Sequence, residues 1–130
     1  MDQLTVPIED KVGMLATVLD IIARHDVNVY GLCTERGPVA EIRLLVNEPF
    51  VAQEFLENAG IISHVVDVVG ITLLDEPGQM AKIFTVLAAN EISVEYAYLY
   101  NQFEKKRLFA MHTDHDSEAV RALLMNFEVN

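Results

Sequence analysis

From Asp10 onward the sequence repeats itself 65 positions later, and this internal repeat restricts the chain to a fold built twice. Asp10 falls on Asp75 and Gly13 on Gly78. The register continues without a gap through Ala16/Ala81, Ala23/Ala88 and Val29/Val94. Apolar meets apolar at Val18/Ile83, Leu19/Phe84, Ile21/Val86, Ile22/Leu87 and Val27/Ile92. Self-similarity at a fixed period marks a duplicated supersecondary unit. We therefore read two units, 1–66 and 67–130, and the 52% hydrophobic composition supplies both with core material.

Each unit reads as strand, helix, two strands, helix, strand. Leu4, Val6 and Ile8 alternate as a strand does, whereas Met14, Leu15, Val18, Leu19, Ile21 and Ile22 recur at helical spacing up to about His25. A strand from Val27 to Glu35 turns at Arg36-Gly37-Pro38 into a return strand ending near Val46. Pro49 suits the first turn of a second helix, expected to bury Phe50, Val51, Phe55 and Leu56 and to stop near Gly60. The second copy places helices at 78–90 and 117–126 and strands at 92–100 and 107–113, with a hairpin tip about two residues longer and Asp114 or Asp116 as a helix cap. Ile61 to Leu74 is one Ile/Val-rich run, read as two strands fused end to end, because Gly70 and the β-branched residues disfavour a long helix. The expected class is α+β: two tandem ferredoxin-like βαββαβ units, each an antiparallel sheet with both helices on one face.

Twenty acidic against nine basic residues give a formal charge of −11, which repels nucleic acid and anionic membrane surfaces. No apolar run approaches the ~20 residues of a spanning helix, and the N-terminus lacks a signal-peptide pattern. A single cysteine, Cys33, permits no internal disulfide. The expectation is a cytoplasmic chain with Cys33 in a strand.

Two loops stand between the first strand and first helix of each copy: Asp10-Lys11-Val12-Gly13-Met14-Leu15 and Asp75-Glu76-Pro77-Gly78-Gln79-Met80. A structural account suffices for their residue types, with Asp capping a helix, Pro77 in its first turn and Gly easing the bend. A functional account uses the same groups. Free N–H groups at a helix N-terminus bind a carboxylate, Gly permits close approach, and nearby oxygens hold an ammonium group, so the loop suits a zwitterion such as a free amino acid.

The run Asp75 to Met80, followed by Ile83, Leu87, Ala88, Asn90, Ile92 and Val94, resembles an ACT domain, and the first copy repeats it through Gly13, Leu15 and Asn28. Essentially the whole chain is similar to a tandem ACT pair. The resemblance implies regulation by a small molecule, usually an amino acid, bound where this loop meets a strand of a neighbouring ACT unit. The expectation is a non-enzymatic regulator, a homodimer through its sheet faces or edges with a regulated enzyme as a further partner; the alternatives are a ligand-independent interaction module or regulatory subunit, and a small enzyme on a ferredoxin-like scaffold. Carried over by position, the ligand-binding set is Asp10, Val12, Gly13, Met14, Leu15 and Asn28 in copy one, and Asp75, Pro77, Gly78, Gln79, Met80 and Ser93 in copy two. Val12 stands where Pro is common and Ser93 where Asn is common, which leaves open whether one loop binds or both.

Other motifs are weaker. His112-Thr113-Asp114-His115-Asp116 has a metal-like spacing, but it falls at a strand-to-helix connection where Asp and Thr are ordinary caps. The Tyr96, Tyr98, Tyr100 stripe reads as core or interface packing, with an aromatic binding shelf as the alternative. No nucleophilic constellation, P-loop or dinucleotide fingerprint appears, so neither a catalytic residue nor a cofactor is expected.

Overall fold

The computed structural model describes residues 1–9, 12–37 and 39–130; Asp10, Lys11 and Pro38 lie outside the described residues. The chain divides into two compact units, Asp2–Val66 and Asp67–Asn130, the latter including Met1. The first carries β1 (Asp2–Ile8), α1 (Met14–Ala23), β2 (Val29–Glu35), β3 (Ala40–Val46), α2 (Pro49–Asn58) and β4 (His64–Asp67). The second carries β5 (Val69–Leu74), α3 (Gln79–Ala89), β6 (Val94–Phe103), β7 (Lys106–Thr113), α4 (Ser117–Leu123) and β8 (Glu128–Val129). Their sheets have the orders β2-β3-β1-β4 and β6-β7-β5-β8. Among the described pairings, β1 with β3, β2 with β3 and the three of the second sheet are all antiparallel. The α+β tandem βαββαβ expectation holds.

Alternation along the central strands builds each core. Leu4 and Val6 of β1 face Leu44 and Ile42 of β3, and all four are buried under Val18 and Ile22 of α1 and Ala52 and Leu56 of α2. In the second unit Val69 and Ile71 face Met111 and Phe109, packed with Ile83, Leu87, Val120 and Leu124. Spacings of i and i+4 along each helix put one narrow stripe inward. That stripe corrects the expectation for α2: Phe50 is 63% exposed and Val51 36%, while Ala52 and Leu56 go inside. The buried stripe follows the i, i+4 spacing of Ala52 and Leu56 and not the largest side chains of the segment.

Helix ends repeat as faithfully as the core. Asp26 and Glu91, equivalent in the repeat, both take φ 57°, and the following Val27 and Ile92 donate back to Ile22 and Leu87 carbonyls. These left-handed turns end α1 and α3 earlier than the sequence suggests and delay the next strands to Val29 and Val94. Gly60 (φ 80°) does the same after α2. Ile61 N–H returns to Leu56 O, and Gln53 Nε2 holds Ser63 O at 3.1 Å, so β4 begins only at His64 rather than at Ile61. The Ile/Val run is two strands interrupted at Val68.

Asp116 caps α4, its carboxylate accepting from Ala119 N–H. One turn on, Arg121 donates to Asp67 Oδ2 at 2.8 Å and to Val68 O at 3.1 Å, tying the helix to the start of the unit. The Arg121 guanidinium, with a smaller contribution from the Met1 amino group, lowers the Asp67 carboxyl from 3.8 to about 2. A carboxyl depressed by folding contributes stability that is complete above its unfolded value and is lost as pH falls through the folded one, here from about 3.8 towards about 2. Arg121→Met is therefore expected to raise the Asp67 midpoint, followed by carboxyl-carbon NMR shift, and to remove this part of the acid dependence of stability. An unmoved midpoint would mean that the arginine is not its cause.

Candidate functional site

The loop leading into α1 ends in Gly13 at φ 92°, and the loop into α3 ends in Gly78 at φ 87°. Both glycines are the N-cap residues of their helices, and neither helix has a side-chain cap. Left-handed φ is the conformation that a Cβ disfavours, and at both positions the space where a Cβ would stand is open, with nothing within 4 Å. The first N–H groups of an α-helix have no intrahelical acceptor and lie at the positive end of its dipole. With no side-chain cap among the described residues, these two ends can take an outside anion.

This arrangement corrects the structural account of the loops. Asp75 does not cap α3; its Oδ1 lies 2.9 Å from Arg107 Nε on β7. Pro77 precedes the N-cap rather than occupying the first turn. A left-handed glycine, not a polar side chain, makes the corner. Asp10 lies outside the described residues.

Around the first loop, Val12 is fully exposed, while Met14 and Leu15 are half-buried. A cavity of about 190 Å³ opens beside Gly13 and Leu15, lined also by Ile8, Thr34, Glu35, Arg36, Ala40, Glu41 and Ile42. Its floor is apolar and its rim charged. Beneath the rim, Arg43, only 6% exposed, donates to Glu35 Oε2 at 2.7 Å and to Glu41 Oε2 at 2.9 Å. A second cavity of about 470 Å³ lies against Met14, Glu9, Ile61 and His64. Around the second loop, Met80 is exposed at 42% and Gln79 is half-buried, its N–H reaching Glu76 O at 3.4 Å.

Asn28 and Ser93 are elsewhere in their own units. Ile8 pairs with Ala40 and Glu35 with Glu41 at the loop end of the first sheet, whereas Val29 pairs with Val46 at the other end. Six strand steps separate the ends, about 20 Å. Asn28 therefore cannot meet the Gly13 loop of its own unit. Its backbone is clamped by Asn47, whose side-chain Oδ1 accepts from Asn28 N–H at 2.9 Å while Asn47 N–H donates to Asn28 O. Asp114 holds Ser93 identically, at 2.9 and 3.0 Å. The His115 ring nitrogen 2.6 Å from Asp114, then the Ser93 N–H, hold that carboxyl below its ordinary range.

The hairpin residues Thr34, Glu35, Arg36, Ala40 and Glu41 were not anticipated. They reach the loop only through strand register, which no local motif carries. Of the other candidates, His112 stacks on Tyr96 at 5.2 Å. Tyr98 is buried, and Tyr96 and Tyr100 are half-buried. Among the described residues no group of three or more His, Cys, Asp or Glu is placed to hold a metal, and no helix is long and apolar enough to cross a membrane.

The ACT domain pair model matches residues 1–129, and the chain belongs to that family. No curated protein matches. Among solved structures, a protein from Bacteroides thetaiotaomicron is 24% identical with a TM-score of 0.88, covering 99% of this chain and 90% of its own. The ligand-free regulatory subunit of aspartate kinase from Thermus thermophilus is 18% identical with a TM-score of 0.66, covering 96% and 91%. Its counterpart from Thermus flavus is 19% identical at 0.64, covering 98% and 92%. At these identities the likeness is one of fold.

The clamp separates a structural role from a binding one. Asn47→Ala is expected to cost about 1 kcal/mol in urea unfolding, the net worth of the hydrogen bond that holds the Asn28 N–H. Asn28→Ala, an exposed side chain, should stay within about 0.5 kcal/mol. Equal losses in the two variants would contradict this division.

Proposed function

We propose that this ACT domain pair is a non-enzymatic regulatory protein that binds a small free amino acid at its β1–α1 and β5–α3 loops. The observation that carries the reading is the pair of helix N-termini left without side-chain caps behind left-handed glycines. In the same chain α4 has its Asp116 cap, worth about 1 kcal/mol in such positions. The amino-acid carboxylate takes N–H groups at the start of the helix, from Gly13 to Leu15 in the first copy or from Gly78 and Met80 in the second, where Gln79 N–H already reaches Glu76 O. Its ammonium takes carboxylate or carbonyl oxygens beside the loop, and its side chain the apolar floor.

Asn28 or Ser93 completes such a site only from another ACT unit, because each stands at the far end of its own sheet. This favours a homodimer, in which a second copy supplies the strand. The action is regulatory, through a partner or through binding itself, in the cytoplasm. A second reading, a regulatory subunit carried by an enzyme, is supported by the fold shared with the separate regulatory subunits of aspartate kinase from the two Thermus species.

Isothermal titration with each of the twenty protein amino acids is expected to give saturable heat for at least one. A Gly13→Val, Gly78→Val double variant, with a β-branched side chain placed where the ligand carboxylate approaches, should lose that heat while circular dichroism shows the fold kept. Unchanged affinity in the folded double variant would rule out these loops as the site.

A further inference from the structure

The strand register places one residue of each copy directly beneath the loop, and that residue differs. Ile8 of β1 faces Ala40. Its repeat partner Leu73 faces Arg107. Ala40 and Arg107 are thus structural equivalents, although they are 67 positions apart rather than 65, because the second hairpin is two residues longer. Directly paired residues share a sheet face, and Leu73 belongs to the core beneath the helices. Arg107 therefore rises on the helix side, where Ala40 in the first copy leaves the cavity beside Gly13. From there its Nε reaches Asp75 of the loop at 2.9 Å, each side chain about two-fifths exposed.

We infer that the two loops are unequal: the groove over Ala40 is the ligand's, and its counterpart in the second copy is filled by the protein's own Arg107. This rests on the amino-acid-binding reading above and specifies its working site. The internal occupant also states the chemistry. Arg107 brings a cation to the loop carboxylate in the second copy; in the first, Glu35 and Glu41 are taken up by Arg43 on the other face of the sheet, so an amino acid in the groove brings its ammonium to backbone carbonyl oxygens of the hairpin and its carboxylate to the N–H groups behind Gly13. At about 190 Å³ the groove lies below the ~300–1,000 Å³ of drug-sized sites, a scale that suits an amino acid.

The test is amide NMR of the full chain titrated with each of the twenty protein amino acids. The active one is expected to move the Gly13 to Leu15 amides at concentrations that leave Gly78 to Met80 unmoved. Arg107→Ala, which removes a half-exposed side chain, should bring the Gly78 amides into the same concentration range. Ala40→Arg should weaken the first site by about tenfold or more, as overfilling a packed space does. Its fold is checked by the unchanged amide shifts of α2 and of the β4 end of the first unit, away from the groove. Shifts centred on Gly78 in the unmodified protein, or a second loop still silent in Arg107→Ala, would overturn the inference alone. No shift in either loop with any of the twenty would overturn the amino-acid reading and the inference with it.

Discussion

Pairing of the central strands, β1 with β3 and β5 with β7, fixes everything else in these units. Their inward residues are buried almost completely, and a slip of one residue would turn that whole set outward. Register is therefore held by the full free energy of core burial rather than by any residue at the loop end. Ile8 must face Ala40, and Leu73 must face Arg107. The loop that follows each of those strands then inherits its floor from the return strand and its rim from the hairpin.

Onto that frame each copy places a left-handed glycine and an uncapped helix. A Ser, Thr, Asn or Asp at the same position would stabilise the helix by about 1 kcal/mol and would occupy the N–H groups that a ligand carboxylate needs. The chain uses the stabilising option at α4, through Asp116, and does without it at α1, α2 and α3, of which only α1 and α3 put a left-handed glycine at the N-cap. Marginal stability makes such an omission costly enough to ask for a reason. Anion binding at the loops supplies one under the proposed function.

Fold was legible in the sequence because duplication prints the same pattern twice: Val18, Ile22, Ile83 and Leu87 fall at repeat-equivalent positions and all are buried. Local readings that leaned on side-chain type were less secure. Phe50 and Val51 are apolar yet lie outside the buried stripe of α2, and Asp75 has the right type for a cap yet turns to Arg107. The hairpin half of the candidate site was invisible for another reason. Ala40 and Arg107 do not align at the offset that reveals the repeat, because the longer second hairpin shifts the return strand by two residues. Only hydrogen-bonded register restores the correspondence.

That displaced pair of positions also limits how far the two copies can diverge in affinity. A half-exposed ion pair such as Asp75–Arg107 contributes about 0–1 kcal/mol. Expelling the guanidinium into water thus costs a ligand up to about fivefold from the ion pair itself. The arginine's aliphatic stem adds to this, since its methylenes cover apolar surface that the ligand must cover in their place. Occupation by Arg107 consequently ranks the second copy below the first instead of deleting it. Under the proposed function, such ranking gives one chain two concentration ranges for one amino acid, with the interval between them set by a single side chain on β7.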